Sequence, residues 1–411
     1  MKLFHIADLH LGKSVYGVSM IDDQKHWILQ FLALCREECP QAVLIAGDVY
    51  DRASPGQEAV ELLDLLLSSL SEYGIPVFMI AGNHDSGRKL SFASTLLAKE
   101  QVHIAGTVQK ELMHTVLDDK DGFGPLTVWM VPYTFPEQVS RILDEDIRTY
   151  EEAFRRLLAL QPVDFSIRNI ILVHQNITKN GTEAERGGSE TSVGGVGQID
   201  FTVFDGFDYA ALGHIHSAYP VGRETVRYAG TPMCYHFEET KQSCKGFTEV
   251  VLKEKGTDPL IIQRDIKPLH RMHWLPYSLE RVLKELEEDH DDAGYYGIEL
   301  NDQRITPEIR THLKKLIELK GGTLLELSSS WQEAYSASGA GIAGKEEELP
   351  VEALFSQLYT EIHGGISPDD DLQDLIDYVG EVVRQQDSHD KCRPEDVDRI
   401  LGYAAGKGKR S

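Results

Sequence analysis

The stretch Ile45-Ala46-Gly47-Asp48-Val49-Tyr50-Asp51-Arg52 decides the fold. The run Ala42-Val43-Leu44-Ile45 leading into it is apolar enough for a buried strand, and Gly47 lets the chain turn as it leaves the sheet. Two carboxylates and an arginine follow at once. In open α/β folds, ligands bind outside the carboxyl ends of such strands, so acids there are placed to hold a cation or meet a phosphate.

The same arrangement recurs on both sides of this stretch. Leu3-Phe4-His5-Ile6-Ala7 reads as the first strand and ends in Asp8-Leu9-His10, where strand alternation puts Asp8 and His10 on one side. An amphipathic helix is predicted over residues 23–38 and another over 55–72, the latter with a proline in its opening turn. Residues 75–81 form the next buried strand and empty into Gly82-Asn83-His84-Asp85. Strand and helix alternate, which predicts an α/β sheet.

Further along, a helix is expected over 88–99, strands near 102–105, 111–116 and 126–131, and one long charged helix over 136–160. Residues 169–173 are an apolar strand that delivers His174. Residues 178–198 read as a loop, and their Gly194-Gly195-Val196-Gly197 lacks the preceding strand that a dinucleotide fingerprint needs. The strand at 209–212 ends in Gly213-His214-Ile215-His216, and strands near 247–252 and 260–266 close the sheet.

After Pro268 the pattern changes to a small α+β unit over 268–330, set apart from a main domain over 1–267. A Gly/Ser/Ala-rich and then acidic linker is expected over 331–349, a pair of amphipathic helices over 350–387, and a tail over 388–411. Cys35, Cys39, Cys234, Cys244 and Cys392 are an odd set without CxxC spacing, which argues against disulfides and a zinc-thiolate site. No apolar run approaches the length of a membrane span, and the expectation is a cytoplasmic protein. The net charge of −25 argues against a stand-alone nucleic-acid binder, although bound cations or a basic partner subunit can offset it.

Asp8, His10, Asp48, Asn83, His174, His214 and His216 all fall at strand ends. Seven oxygen and imidazole donors suffice for two ions when one carboxylate bridges them. Mixed imidazole and carboxylate ligands fit Mn, Fe or Zn better than Mg, which prefers oxygen. A pair of such ions activates water and stabilises in-line displacement at phosphorus.

Asp8-x-His10, Gly47-Asp48-x-x-Asp51-Arg52, Gly82-Asn83-His84-Asp85, Val173-His174 and Gly213-His214-x-His216 resemble the motifs of the calcineurin-like metallophosphoesterases. More narrowly, Ile6-Ala7-Asp8-Leu9-His10-Leu11-Gly12, Ala211-Leu212-Gly213-His214-Ile215-His216, and Val226-Arg227-Tyr228-Ala229-Gly230-Thr231-Pro232 followed by Phe237-Glu238-Glu239 are similar to the SbcD nucleases. The resemblance implies an α/β four-layer sandwich of two mixed sheets flanked by helices, with a small α+β capping domain and a C-terminal helix pair. It implies two divalent metal ions, manganese: one held by Asp8, His10, Asp48 and His216, the other by Asp48, Asn83, His174 and His214. It also implies His84 acting on the scissile phosphate, Asp51 orienting His84, and Arg52 facing phosphate.

The implied activity is an exo- and endonuclease that hydrolyses DNA phosphodiesters in repair and recombination. The implied partners are DNA and an SbcC-type coiled-coil ATPase docked on the helix pair, with a homodimer inside a heterotetramer. Helices near 55–72 and 88–99 are the candidates for the dimer contact. The alternatives are a phosphatase or cyclic-nucleotide phosphodiesterase on the same fold, and a non-catalytic scaffold that tethers DNA ends.

Overall fold

Apolar runs that are buried on both faces need helices above and a second sheet below, and the chain supplies both. In the computed structural model, which describes residues 1–179, 181, 197–241, 245–288 and 293–331, two six-stranded mixed sheets stack face to face. The first runs Leu260–Asp265, Gly246–Val251, Lys2–Ile6, Ala42–Ala46, Val77–Ile80, Val102–Ala105. Its last four strands are parallel. The second runs Pro220–Val221, Arg223–Tyr228, Tyr209–Gly213, Arg168–His174, Leu126–Val131, Met113–Leu117, with its four central strands parallel.

Alternation along each strand sorts its side chains into layers. Leu3, Leu44, Phe78 and Ile80 meet Val128, Met130, Ile170 and Leu172 between the sheets. The opposite face of the first sheet, Phe4, Val43, Ile45 and Met79, packs on Trp27 and Phe31 of the helix Ile21–Glu38 and on Leu62 and Leu66 of the helix Gln57–Glu72. The outer face of the second sheet buries Ile171, Val173 and Leu212 against Phe154 of the helix Tyr150–Ala159. Each fully buried side chain of this size contributes about 1.5–3 kcal/mol. Helices, sheet, sheet and helices make the expected four layers.

Two predicted helices are broken. Ala93, at φ 58°, interrupts the 88–99 segment, which forms Gly87–Leu90, Ser94–Leu97 and a 3-10 turn Ala98–Glu100. The 136–160 segment splits into Pro136–Leu143 and Tyr150–Ala159, because Asp144 turns left-handed at φ 56° and Thr149 caps the second helix. Thr149 and Glu152 stand at the spacing of a helix-start signal that overall helical periodicity hides.

Met272–Leu275, Tyr295–Leu300 and Thr323–Ser329 form a parallel three-stranded sheet with its own core around Val282, Ile298 and Leu313. It rests on the first helix, where Asp23 accepts hydrogen bonds from the Tyr295 hydroxyl (2.8 Å) and the His270 backbone (3.1 Å). Contacts of this kind make Met1–Glu333 one compact unit. The linker beyond residue 331, the helix pair, the tail and the glycine run Gly194–Val196 lie outside the described residues. Among the described residues no helix is long and apolar enough to cross a membrane.

Candidate metal centre

The parallel strands of both sheets deliver their carboxyl ends to one edge of the sandwich. Asp8 follows the strand that ends at Ile6, Asp48 the one that ends at Ala46, and Asn83 the one that ends at Ile80. In the second sheet His174 is the last strand residue, in register with Gly213, after which His214 leaves the sheet.

Strand alternation is not what aims these side chains. Asp8, His10, Asp48 and His214 have φ of 52°, 44°, 47° and 101°, left-handed backbone that costs non-glycine residues on the order of 1–3 kcal/mol each. Tertiary hydrogen bonds hold the turns in place. Asp8 N–H donates to Gly47 O (3.0 Å), His10 N–H to Asp48 O (2.9 Å) and Leu11 N–H to Val49 O (2.9 Å). The Asp85 carboxylate accepts from the backbone of Val49 (3.1 Å), Tyr50 (2.9 Å) and Gly82 (2.8 Å), tying the Asp48 turn to the Asn83 turn. The Gln24 amide donates to His10 O (2.8 Å) and accepts from Gly12 N–H (3.0 Å).

Two glycines let these turns close. Gly47 has φ 90°, and a Cβ there would stand 2.3 Å from His174 Nδ1. A Cβ on Gly82 would meet Asp48 Oδ1 at 2.1 Å.

The side chains converge in three overlapping groups. Asp8, His10 and His216 form one, Asp8, Asp48 and His174 another, and His10, Asp48 and His84 a third that bridges them, each within 4.8 Å between ligand atoms. His10 Nε2 lies 3.2 Å from His216 Nε2, and His174 Nε2 lies 3.0 Å from Asn83 Oδ1 and 3.4 Å from Asp48 Oδ1. His214 Nδ1 reaches the same Asn83 oxygen at 3.1 Å. The sequence pair His214-x-His216 is thus split, one imidazole to each half of the cluster.

The outer ring nitrogens show what the inner ones can bind. His174 Nδ1 lies 2.8 Å from Ala46 O and His216 Nδ1 lies 3.1 Å from Glu239 Oε1, so both Nδ1 atoms donate outward. Their Nε2 atoms then face other acceptors, and that of His174 carries a proton toward Asn83 and Asp48 that a cation would displace. Imidazole, carboxylate and amide donors, buried except for the half-buried His214 and the exposed Asn83, point at one another and fit a divalent cation, with backbone and carboxylate partners fixing the tautomers behind them.

The electrostatics agree. Burial pushes the Asp8 carboxyl up to about 7, with His174 pulling against it and Asp48 adding to it. Burial also opposes the charge on Asp48, but His174, His10 and His84 outweigh it and hold that carboxyl below its ordinary range. Burial alone would lower His174, yet Asp48 holds it up at about 9. Protons on Asp8 and His174 offset the crowding of acids, and loading the site with cations releases them.

His84 is 42% exposed on the open side, with Nε2 4.0 Å from Asp48 Oδ2. Its contact with Asp51 is to the backbone and not to the carboxylate. His84 Nδ1 bonds the Asp51 backbone oxygen at 2.9 Å, while the Asp51 side chain takes Lys13 Nζ at 2.9 Å and stands 3.7 Å from His10 Nδ1. Arg52 is 69% exposed at the rim and 3.7 Å from Asp51 Oδ2.

Sequence reasoning assigned no role to Glu239, Asp85 or Gln24. Glu239 is fully buried and ties His216 to Lys245 (2.8 Å) and Thr231 (3.0 Å). The one signal for Asp85 was its place in Gly82-Asn83-His84-Asp85. Gln24 carried none, since a glutamine in an amphipathic helix reads as solvated.

Residues 1–218 match the model of the calcineurin-like phosphoesterase family. The chain is 30% identical over 327 residues to the SbcD component of the nuclease SbcCD from Staphylococcus saprophyticus, covering 77% of this chain and 82% of that one. The SbcD component of the nuclease SbcCD from Staphylococcus epidermidis is 26% identical over 386 residues, covering 92% and 99%.

Proposed function

The chain belongs to the calcineurin-like phosphoesterases and, within them, to the SbcD family, and from that membership we propose that it is a manganese-dependent DNA nuclease subunit. One observation carries the reading: Asp8, His10, Asp48, Asn83, His174, His214 and His216 meet at a single edge of the sandwich. Asp8, His10, Asp48 and His216 would hold one ion, and Asp48, Asn83, His174 and His214 would hold the other. When bound, the two ions supply the Lewis-acid charge that activates water and steadies the phosphoryl oxygens.

The chain's own residues do the rest. The Asp51 carbonyl accepts a hydrogen bond from His84 Nδ1–H and so aims Nε2 into the site, where a protonated Nε2 stabilises charge on the phosphate or passes its proton to the leaving oxygen as the P–O bond breaks. Lys13 engages the Asp51 carboxylate and keeps that charge beside His10. Arg52, free to swing at the rim, meets the phosphate of the entering strand.

The partners follow the family. An SbcC-type coiled-coil ATPase docks on the segment 350–387, for which the sequence pattern predicts two amphipathic helices, and carries much of the DNA, which reconciles a net charge of −25 with a polyanionic substrate. A second copy pairs across the helix Gln57–Glu72 and the 87–100 segment. There Phe92 is 82% exposed beside an apolar cavity of about 910 Å³ lined by Val60, Leu63 and Leu67. The complex acts in the cytoplasm, in DNA repair and recombination.

Purified protein with Mn²⁺ is expected to degrade linear DNA far faster than nitrophenyl phosphate esters, and to lose that activity in EDTA. Asp8→Ala and His84→Gln are expected to abolish cutting with the fold intact by circular dichroism. Cutting that persists in both variants refutes the assignment, and a reversed substrate ranking makes the chain a phosphatase. Deleting residues 345–411 is expected to end co-purification with the ATPase while sparing Mn²⁺-dependent cutting of short DNA.

A further inference from the structure

A file of aromatic rings leads away from the metal centre on its His174 and His214 side. The Tyr133 ring centroid lies 6.1 Å from that of His174 and 6.2 Å from that of His214. Phe135 stands edge-on to Tyr133 at 5.0 Å, and Tyr150 lies 6.4 Å beyond Phe135. Burial pushes the Tyr133 hydroxyl above its ordinary range, with Tyr150 and the Asp48 charge adding to the shift.

Phe135 is the exposed member, with 45% of its surface open. Its backbone is nonetheless pinned. Phe135 N–H donates to Gln138 Oε1 (3.1 Å), and the preceding Thr134 carbonyl accepts from the buried Gln175 amide (2.8 Å). An apolar ring is held rigidly in water next to a catalytic edge, which is preorganisation for a flat apolar ligand.

The surroundings say which part of a polynucleotide fits. Past Tyr150 and Pro136 opens a cavity of about 1020 Å³. Its three arginines, Arg148, Arg155 and Arg156, are already paired to Asp146 (2.6 Å), Glu151 (2.8 Å) and Glu145 (2.6 Å). The wall therefore offers no surplus positive charge to a phosphate backbone. A base carries no charge and presents a π face whatever its identity.

We propose that Phe135, backed by Tyr133, is a stacking platform for an unpaired nucleobase of the strand whose phosphate lies at the metal centre. This rests on the nuclease reading for the identity of the ligand. It makes Phe135 a determinant of substrate form: a strand end that can splay a base onto the ring binds better than one that cannot.

The test uses the full chain with Mn²⁺ and single-stranded oligonucleotides that carry either 2-aminopurine or an abasic residue at each position next to the cut. At one position the wild type is expected to quench 2-aminopurine fluorescence and to show a KM roughly 5- to 100-fold lower for the base than for the abasic residue. Phe135→Ala and Phe135→Leu, the second of which keeps the apolar bulk, are expected to lose the quenching and bring that ratio toward 1. Phe135→Trp is expected to restore both. Quenching and base preference that survive in the Ala and Leu variants overturn the platform, as does a wild type that quenches at no position. If the wild type quenches through Phe135 yet cuts neither oligonucleotide, the nuclease reading fails and the stacking site stands.

Discussion

Replacing Glu239 with glutamine changes one buried group behind the metal centre while keeping its shape. Glu239 is fully buried, and one carboxylate oxygen lies 3.1 Å from His216 Nδ1. The other accepts from Lys245 Nζ (2.8 Å), Thr231 Oγ1 (3.0 Å) and Tyr235 N–H (3.3 Å). Burial opposes its charge, but Lys245 and His216 outweigh that and hold it at about 2, so it is ionised at any working pH. Glutamine has a single oxygen to serve both sides.

If that oxygen faces Lys245, the amide NH₂ faces His216 Nδ1 and drives the ring proton to Nε2, onto the lone pair that lies 3.2 Å from His10 Nε2. Losing such an outer partner lowers metal affinity about 10- to 100-fold, or about 1.4–2.7 kcal/mol. In either orientation the Lys245 ammonium, 12% exposed, loses its counter-charge, and if the oxygen faces His216 it also meets the amide NH₂ donor against donor. Stranding one member of a buried pair costs about 3–5 kcal/mol of stability. Isothermal titration with Mn²⁺ reads the first outcome, and urea unfolding of the EDTA-treated protein reads the second. One of the two must move. A variant with wild-type Mn²⁺ affinity and wild-type metal-free stability would refute the claim that Glu239 sets the His216 tautomer.

Asp85→Asn leaves an amide NH₂ facing at least one of the three backbone N–H groups that the carboxylate now satisfies. Urea unfolding should show a loss of about 1–3 kcal/mol, with hydrolysis reduced as the Asp48 and Asn83 turns separate. Gly82→Ala puts a methyl 2.1 Å from Asp48 Oδ1 and 2.3 Å from Asp48 N. Displacing the Asp48 carboxylate by about 1 Å should lower kcat about 100-fold, and unchanged kcat would mean that Asp48 is not so confined. His5 lies between the sheets 2.9 Å from the Tyr209 hydroxyl, where burial, with Arg227 nearby, pushes it down to about 3. The unfolded chain takes up a proton near pH 6.5 that the folded chain refuses until about pH 3, so this residue costs stability as pH falls through that window. His5→Phe lacks that slope, so the difference between the two proteins' unfolding free energies should change by about 1.4 kcal/mol per pH unit across the window.

The sheets, their helical covers and the identity of the seven clustered donors were readable from local pattern. Apolar runs buried on both faces have to be central strands, and polar residues just after them have to gather at one sheet edge, because parallel strands share a direction. The breaks at Ala93 and Asp144 escaped that reading, since a single left-handed residue leaves the hydrophobic period on either side intact. How the donors are aimed also lay beyond it. Asp8 and His10 owe their direction to hydrogen bonds with Gly47 and Asp48, some forty residues away, and not to strand alternation.

Chain order alone determined which residues reach the edge. Tertiary structure decided what each one faces there. His214 and His216 part company, Asp51 meets His84 through its carbonyl, and Glu239 closes behind His216 across 23 positions. The reason is physical: a residue type and its place on a strand are local, whereas the direction of a ring nitrogen is set by whichever distant backbone oxygen or buried carboxylate holds the other nitrogen.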